Sequence, residues 1–266
     1  MPCSEEGRAL GPLFILGFPR SGTTAMARAV SGLGRFGSYA REGHFLYIFA
    51  APFARILRGE FNENSVLRGD GAVQTLTQEF RAMANRLYSP THDPADQQWI
   101  DKTPDLAQVR AVPVINKLWP SSRFIFLYRP AEDAVRSSVA VWRQRVEGNE
   151  GQAAERWVQC QRAWRAARPD LGDRYVEVYQ PHMLTRPEAV AQSMAGVLGL
   201  ADAEIDSLAR TWREDTQVNR PKGERAQAYD AVTLSEDTRA EVRALTQDEA
   251  AHWPMLSAKE TVAEDR

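Results

Sequence analysis

The feature that most constrains the fold is a glycine-rich turn between a short apolar run and a helical pattern. Residues 13–17, LFILG, predict a buried strand, and the octapeptide GFPRSGTT at 17–24 overlaps its end. Residues 25–34, AMARAVSGLG, then show helical spacing and end in glycines. In such a strand–turn–helix unit, the backbone N–H groups of the turn and the helix N-terminus converge, so the sequence predicts an anion site there.

A second unit of the same kind predicts the fold class. The apolar run at 123–128 breaks at Arg129-Pro130 and passes into a helical pattern, and weaker strand signals lie at 98–101 and 175–179. Further helical patterns cover 45–58, 72–88, 105–118, 152–167, 187–198, 203–213 and 235–250. Strands that alternate with helices predict an α/β fold, here a P-loop-like three-layer domain with a central parallel sheet flanked by helices.

One domain is predicted for the whole chain. No repeat, low-complexity tract or long linker divides residues 1–266, and we expect a core over about 12–225, a C-terminal helix over about 235–250 and a frayed tail. The polar segment 214–231 lacks apolar periodicity and predicts a long loop, which in a compact domain is typically functional or disordered.

Composition excludes several classes of partner. The 33 basic and 35 acidic residues give a net charge of −2, so no overall field recruits nucleic acid or an anionic membrane. Two cysteines, Cys3 and Cys160, cannot build a disulfide framework, and no apolar run is long enough to span a bilayer. We therefore expect a cytoplasmic protein. The histidines and cysteines show no metal-ligand spacing, so no metal site is predicted.

The turn departs from the Walker A pattern of nucleoside triphosphate binding at one informative position. Gly17 and Gly22 occupy the glycine positions, but Thr23 stands where that pattern has its phosphate-binding lysine. The motif PRSGTT instead resembles the 5′-phosphosulfate loop of sulfotransferases that use 3′-phosphoadenosine-5′-phosphosulfate (PAPS), particularly the Golgi-type and bacterial members with arginine in this loop. The resemblance implies that the 5′-phosphosulfate is bound by Arg20, Ser21, Gly22, Thr23 and Thr24.

The resemblance extends to a second phosphate site. Sulfotransferases hold the cofactor's 3′-phosphate with an arginine at the end of a central strand and a serine eight residues later, and Arg129 and Ser137 match this pattern. The segment NRPKGE at 219–224 resembles the later loop that closes over the same phosphate, although Pro221 interrupts it, and it adds Arg220 and Lys222. PAPS as donor and PAP as product, with no metal required, are thereby implied.

Similar motifs imply the catalytic residues. Lys102 in WIDKTPD resembles a lysine segment of the heparan sulfate and tyrosylprotein sulfotransferases and joins Arg20 as a cation at the leaving group. The stretch REGHFLYI at 41–48 resembles their glutamate-base segment, which implies Glu42 as the base. Asp101 and His44 are competing bases, and the sequence leaves the choice open.

The implied activity is transfer of a sulfuryl group from PAPS to a hydroxyl or amine of a small-molecule, glycan or peptide acceptor. Aromatic and arginine residues between 43 and 97 are candidates for an acceptor cleft, although such a pattern is typical of a core as well. A P-loop kinase or NTPase is one alternative, and a protein that binds PAPS or PAP without chemistry is another. The acceptor and the oligomeric state, a homodimer included, stay open.

Overall fold

A single parallel sheet organises the part of the chain that the computed structural model describes, residues 11–37, 42–61, 64–67, 69–88, 99–214 and 232–257. Within these residues the sheet has the strand order β2-β1-β3-β4, and every neighbouring pair is parallel. Its strands are β1 Leu13–Gly17, β2 Ile100–Lys102, β3 Arg123–Tyr128 and β4 Tyr175–Tyr179.

Helices lie between the strands and after β4. In the same described residues the helices are α1 Thr23–Ser31, α2 Phe45–Leu57, α3 Asp70–Tyr88, α4 Leu106–Arg110, α5 Val112–Leu118, α6 Ala131–Val141, α7 Arg143–Val146, α8 Glu150–Ala167, α9 His182–Thr185, α10 Pro187–Leu198, α11 Asp202–Glu214, α12 Glu236–Ala250 and α13 Pro254–Ser257. Helices α1 to α8 lie between the strands, and the remaining described helices follow β4. A 3₁₀ turn at Arg168–Leu171 precedes β4.

The sheet is covered on both faces, because alternate side chains of its strands enter two different apolar cores. Phe14 and Phe126 belong to a core with residues of α4, α5, α8 and α12. Ile15 and Ile125 belong to a second core with residues of α1, α10 and α11. Burial of both faces explains why these strands read as continuous apolar runs. The predicted α/β class, with a parallel sheet flanked by helices, is confirmed.

The structure has two helices where the sequence pattern predicts one. The pattern over 105–118 forms α4 and α5, separated at Ala111. Pro113 lies in the first turn of α5, and because proline has no backbone N–H it cannot continue the hydrogen-bond ladder of α4. The proline was visible in the sequence and marks the break.

The strand order creates a crevice at the carboxyl edge of the sheet. The chain passes from β1 to β2 on one side and then returns past β1 to β3 on the other. Loops that leave neighbouring strands in opposite directions open a ligand-binding crevice between them. Gly17, the last residue of β1, pairs with Leu127 of β3, so the glycine-rich turn and Arg129 leave the sheet side by side.

Candidate active site

The turn after β1 is too narrow for most side chains at Gly22. Gly22 and Arg20 both have left-handed backbones, with φ of 85° and 71°. A Cβ atom at Gly22 would lie 2.7 Å from Cγ of Gln180, so even alanine requires displacement. Helix α1 begins directly after Gly22, which provides no side-chain cap, and its first turn has no acidic residue. The partial positive charge of this helix N-terminus is thus available to an anion.

A buried hydroxyl in the turn fits such an anion. Ser21 is fully buried, and its Oγ has no hydrogen-bond partner among the described residues. Buried polar atoms are normally hydrogen-bonded, so an unpartnered one in a turn of this shape requires an explanation. A phosphate or sulfuryl oxygen in the turn would accept a hydrogen bond from the Ser21 hydroxyl. The residues present therefore fit the 5′-phosphosulfate that the sequence implies.

The second predicted phosphate site contacts the turn directly. Arg129 donates from Nη1 to the carbonyl oxygen of Arg20 across 3.1 Å. The Arg20 side chain donates from Nε to Oγ of Ser137 on α6, also across 3.1 Å, although the two residues are 117 positions apart. We call Arg20, Ser21, Arg129 and Ser137 the phosphate cluster. Two guanidinium groups and two hydroxyls in one crevice form a donor set suited to phosphate oxygens.

A second group of charged residues lies at the end of β2, the strand next to β1. Nζ of Lys102 is 2.5 Å from Oε1 of Glu42, and Oε2 of the same carboxylate is 3.0 Å from Nε2 of His44. Lys102 is 1% exposed, whereas the Glu42 side chain is 38% exposed. We call these three residues the base cluster. Its carboxylate reaches solvent, while its lysine is buried.

Asp101 is buried beside this cluster and has no comparable access. It is 1% exposed, and its carboxylate accepts hydrogen bonds from Thr103, Tyr88 and Gln108. Burial raises the pKa of the Asp101 carboxyl above its ordinary value, and the hydrogen bonds from Thr103 and Tyr88 act against that rise. Both carboxylates have donors on each oxygen, but only Glu42 is exposed to solvent.

The other predicted ligands divide into two groups. Thr23 and Thr24 form the first turn of α1, where Thr23 is 3% exposed and Thr24 is half-buried. Arg220 and Lys222 lie outside the described residues, so their roles stay predictions.

Sequence reasoning missed the residues that surround Asp101. Tyr88 ends α3 and Gln108 lies on α4, and no motif marked either of them. Thr103 lies inside the WIDKTPD segment, but its uncharged hydroxyl is not distinguished by any motif there. A buried threonine and tyrosine become informative only when the fold brings their hydroxyls to one carboxylate.

The described residues contain neither a cluster of metal ligands nor a membrane-spanning helix. No group of three or more histidine, cysteine, aspartate or glutamate side chains there could hold a metal ion. None of the helices described combines the length and the apolar character needed to cross a bilayer.

Comparison with known proteins gives a consistent family. The sequence profile described as "Sulfotransferase family" matches residues 12–204. No curated protein sequence matches the chain significantly. The profile match includes both the phosphate cluster and the base cluster.

Solved structures with a similar fold have low sequence identity. The sulfotransferase domain from the curacin biosynthetic pathway has a TM-score of 0.55 at 15% identity, over 92% of this chain and 99% of that one. The sulfotransferase domain from the olefin synthase of Synechococcus PCC 7002 has a TM-score of 0.55 at 19% identity, over 94% and 98%. Mouse sulfotransferase SULT7A1 complexed with PAP has a TM-score of 0.54 at 11% identity, over 92% and 86%.

Proposed function

Because the chain belongs to the sulfotransferase family, we propose that it transfers a sulfuryl group from PAPS to a hydroxyl or amine of an acceptor. The observation that carries this proposal is the phosphate cluster, in which Arg129 and Ser137 both contact Arg20. This cluster joins the turn that fits a 5′-phosphosulfate to the pair that fits a 3′-phosphate. A donor with phosphate groups at both positions matches two such sites, whereas ADP or ATP has no 3′-phosphate.

The phosphate cluster supplies binding and charge stabilisation in the proposed reaction. PAPS provides the sulfuryl group, and PAP is the product. Ser21 and the first amides of α1 hold the 5′ end, and Arg129 with Ser137 holds the 3′-phosphate. Arg20 stabilises the negative charge that develops on the leaving oxygen, and Lys102 adds its positive charge from its buried position beside Glu42. Such stabilisation is the main contribution a protein makes to this type of transfer.

The base cluster supplies the proton acceptor. Glu42 takes the proton from the acceptor hydroxyl as the acceptor oxygen bonds to sulfur and the sulfur–oxygen bond to the leaving phosphate breaks. Lys102 and His44 each contact one oxygen of the carboxylate, which fixes its orientation.

Glu42→Gln tests the role of Glu42, because glutamine keeps the shape of the side chain but cannot accept the proton. We expect turnover to fall by about 10²- to 10⁴-fold while the dissociation constant for PAP stays unchanged. Turnover is measured as PAP release from PAPS with 4-nitrophenol, 1-decanol, glucose and benzylamine offered separately.

Glu147→Gln is the matched control, since Glu147 is an exposed glutamate in an ion pair with Arg143. It is expected to match the wild type in both measurements. If Glu42→Gln retains full turnover, Glu42 is not the base. If the wild-type protein binds PAP but releases none from PAPS with any acceptor, a binding protein without chemistry becomes the better description.

Three finer expectations stay predictions: the Golgi-type or bacterial branch of the family, the cytoplasmic setting and the single-domain boundaries. The kinase or NTPase alternative is disfavoured by Thr23 at the position of the Walker A lysine.

A further inference from the structure

Asp101 connects to the proposed base through hydroxyl groups rather than through solvent. Its Oδ1 accepts a hydrogen bond from Thr103 Oγ1 at 2.6 Å, and its Oδ2 accepts one from Tyr88 Oη, also at 2.6 Å. Gln108 Nε2 adds a longer bond of 3.3 Å to Oδ2. Both oxygens are thus occupied by donors within a site that is 1% exposed.

The Thr103 hydroxyl reaches from Asp101 to the backbone beside Glu42. While it donates to Asp101, the same oxygen accepts the backbone N–H of His44 at 3.3 Å. His44 has a left-handed backbone, with φ of 51°, and precedes the first residue of α2. Non-glycine residues hold this conformation only where their surroundings fix it. Thr103 is one of the groups that fix it here.

The Tyr88 phenol lies against the same segment, at Gly43. Its ring stacks on Trp99 with centroids 4.5 Å apart and planes 13° apart, so the position of the phenol is well defined. A Cβ atom added to Gly43 would overlap the Tyr88 phenol oxygen. The backbone at Gly43 therefore lies directly against the group that Asp101 holds.

We propose that Asp101 is a positioning residue, which uses the hydroxyls of Thr103 and Tyr88 to fix the backbone of residues 42–44 and thereby orient Glu42. This inference rests on the proposed function, because it assigns Glu42 as the base and removes Asp101 from that role. At 1% exposure the Asp101 carboxylate is out of reach of an acceptor. It has the geometry of a rigid support for its neighbours.

Variants of Thr103 test the first connection. Thr103→Val keeps the side-chain shape and removes the hydroxyl, and Thr103→Ser keeps the hydroxyl. We expect the His44 amide hydrogen to exchange about tenfold faster in Thr103→Val, as for one lost hydrogen bond, and at the wild-type rate in Thr103→Ser. Thr211→Val is the control, since its hydroxyl donates within α11, to the carbonyl oxygen of Ser207. The measurement is amide exchange followed by NMR, which requires no substrate.

Kinetics of the same variants test whether the support matters for catalysis. A displaced base lowers kcat by about 10- to 100-fold in Thr103→Val. The Michaelis constant for PAPS should not change, because the phosphate cluster is untouched. Thr103→Ser should restore kcat. A general loss of stability would not give this split between kcat and the Michaelis constant, nor rescue by serine.

Tyr88→Phe tests the second connection and guards against misfolding of the Thr103 variants. It retains the ring stacked on Trp99 and loses only the hydroxyl, so we expect faster exchange in residues 42–45 and a lower kcat. Tyr175→Phe is the control, because Tyr175 lies at the start of β4 and its ring meets Trp164. That control should behave as the wild type in both measurements.

The outcomes separate this inference from the proposed function. Unchanged exchange in both Thr103→Val and Tyr88→Phe would overturn the positioning role, and so would faster exchange with unchanged kcat. Asp101 is instead the base if Asp101→Asn abolishes turnover while both hydroxyl variants keep the wild-type kcat. If the wild-type protein transfers nothing from PAPS, the proposed function fails, yet the exchange measurements still decide whether Asp101 fixes residues 42–44.

Discussion

At the scale of single residues, the buried hydroxyl of Ser21 indicates a ligand because of its position in the turn before α1. The Ser21 Oγ atom has no hydrogen-bond partner among the described residues, and Ser122 Oγ, in the turn before β3, shares that property. Both serines are 0% exposed. Only Ser21 lies in the turn that precedes α1. Substitution of each serine by alanine can therefore separate an effect on ligand binding from an effect on stability.

Ser21→Ala is expected to weaken PAP binding, because a hydrogen bond to a charged phosphate oxygen is lost. Such a bond contributes about 1.5–3 kcal/mol, so the dissociation constant should rise by about 10- to 100-fold. The unliganded protein should become no less stable, since the variant removes an unsatisfied buried group. Calorimetric titration with PAP measures the first effect, and urea unfolding the second.

Ser122→Ala serves as the control for that experiment. It removes an equally buried and equally unpartnered hydroxyl far from the phosphate cluster, and it should leave PAP affinity unchanged. Equal losses of affinity in both variants would contradict the assignment of Ser21 as a phosphate ligand, because the effect would then be a general one.

Residue roles could be predicted from the sequence where a motif carried them. Arg20, Arg129 and Ser137 were predicted from two short segments, and the fold brings these three into contact. Their functional roles stay predictions. Tyr88 could not be found in this way, because its connection to Asp101 depends on where α3 ends relative to β2. A side chain that acts through tertiary contact leaves no local pattern.

At the scale of elements, the turn between β1 and α1 determines where an anion can sit. Gly17 ends β1 with φ of 150°, and a Cβ atom there would lie 2.5 Å from the carbonyl oxygen of Leu127. Close approach of β3 therefore fixes the beginning of the turn, as Gln180 fixes its end at Gly22. The turn is thus held between Leu127 of β3 and Gln180, which follows β4.

Gly22→Ala is expected to impair PAP binding more than stability alone explains. Alanine at a left-handed position costs about 1–2 kcal/mol, and here it must also displace Gln180 and so distort the turn. Gly148→Ala is the matched control, since Gly148 has φ of 79° and open space around its Cα. We expect similar backbone strain in both variants and loss of PAP affinity in Gly22→Ala alone. Thermal unfolding with and without PAP measures both quantities.

Elements with continuous apolar sequence could be predicted well, and short ones less well. β1 and β3 lie in the centre of the sheet and coincide with the predicted runs at 13–17 and 123–128. β2 has only three residues, and it ends at Lys102 rather than at residue 101. Its extent is set by pairing with β1, in which Lys102 lies opposite Ile15, and not by its own composition.

At the scale of the whole molecule, function depends on local charge within a nearly neutral chain. The net charge of −2 gives no general attraction for anions. The fold instead brings Arg20 and Arg129 together from distant parts of the sequence, and it buries Lys102 at the neighbouring strand.

The class of the whole fold was predictable from the alternation of strands and helices, but the strand order was not. No periodicity in the sequence states that β1 lies between β2 and β3, yet this order creates the crevice at the sheet edge. The resemblance of PRSGTT to a phosphosulfate loop indicated which ligand to expect at this edge, and periodicity alone could not.

The central claim is that the phosphate cluster binds a nucleotide with a 3′-phosphate, and calorimetric titration with PAP and with AMP tests it most directly. The two ligands differ only in that phosphate. We predict that PAP binds tighter by about 30-fold or more, as expected for charge-assisted bonds worth about 2 kcal/mol. Arg129→Met should remove most of this difference in affinity between PAP and AMP. Equal affinities for PAP and AMP in the wild-type protein, or a preference for ATP with Mg²⁺ over PAP, would contradict the account.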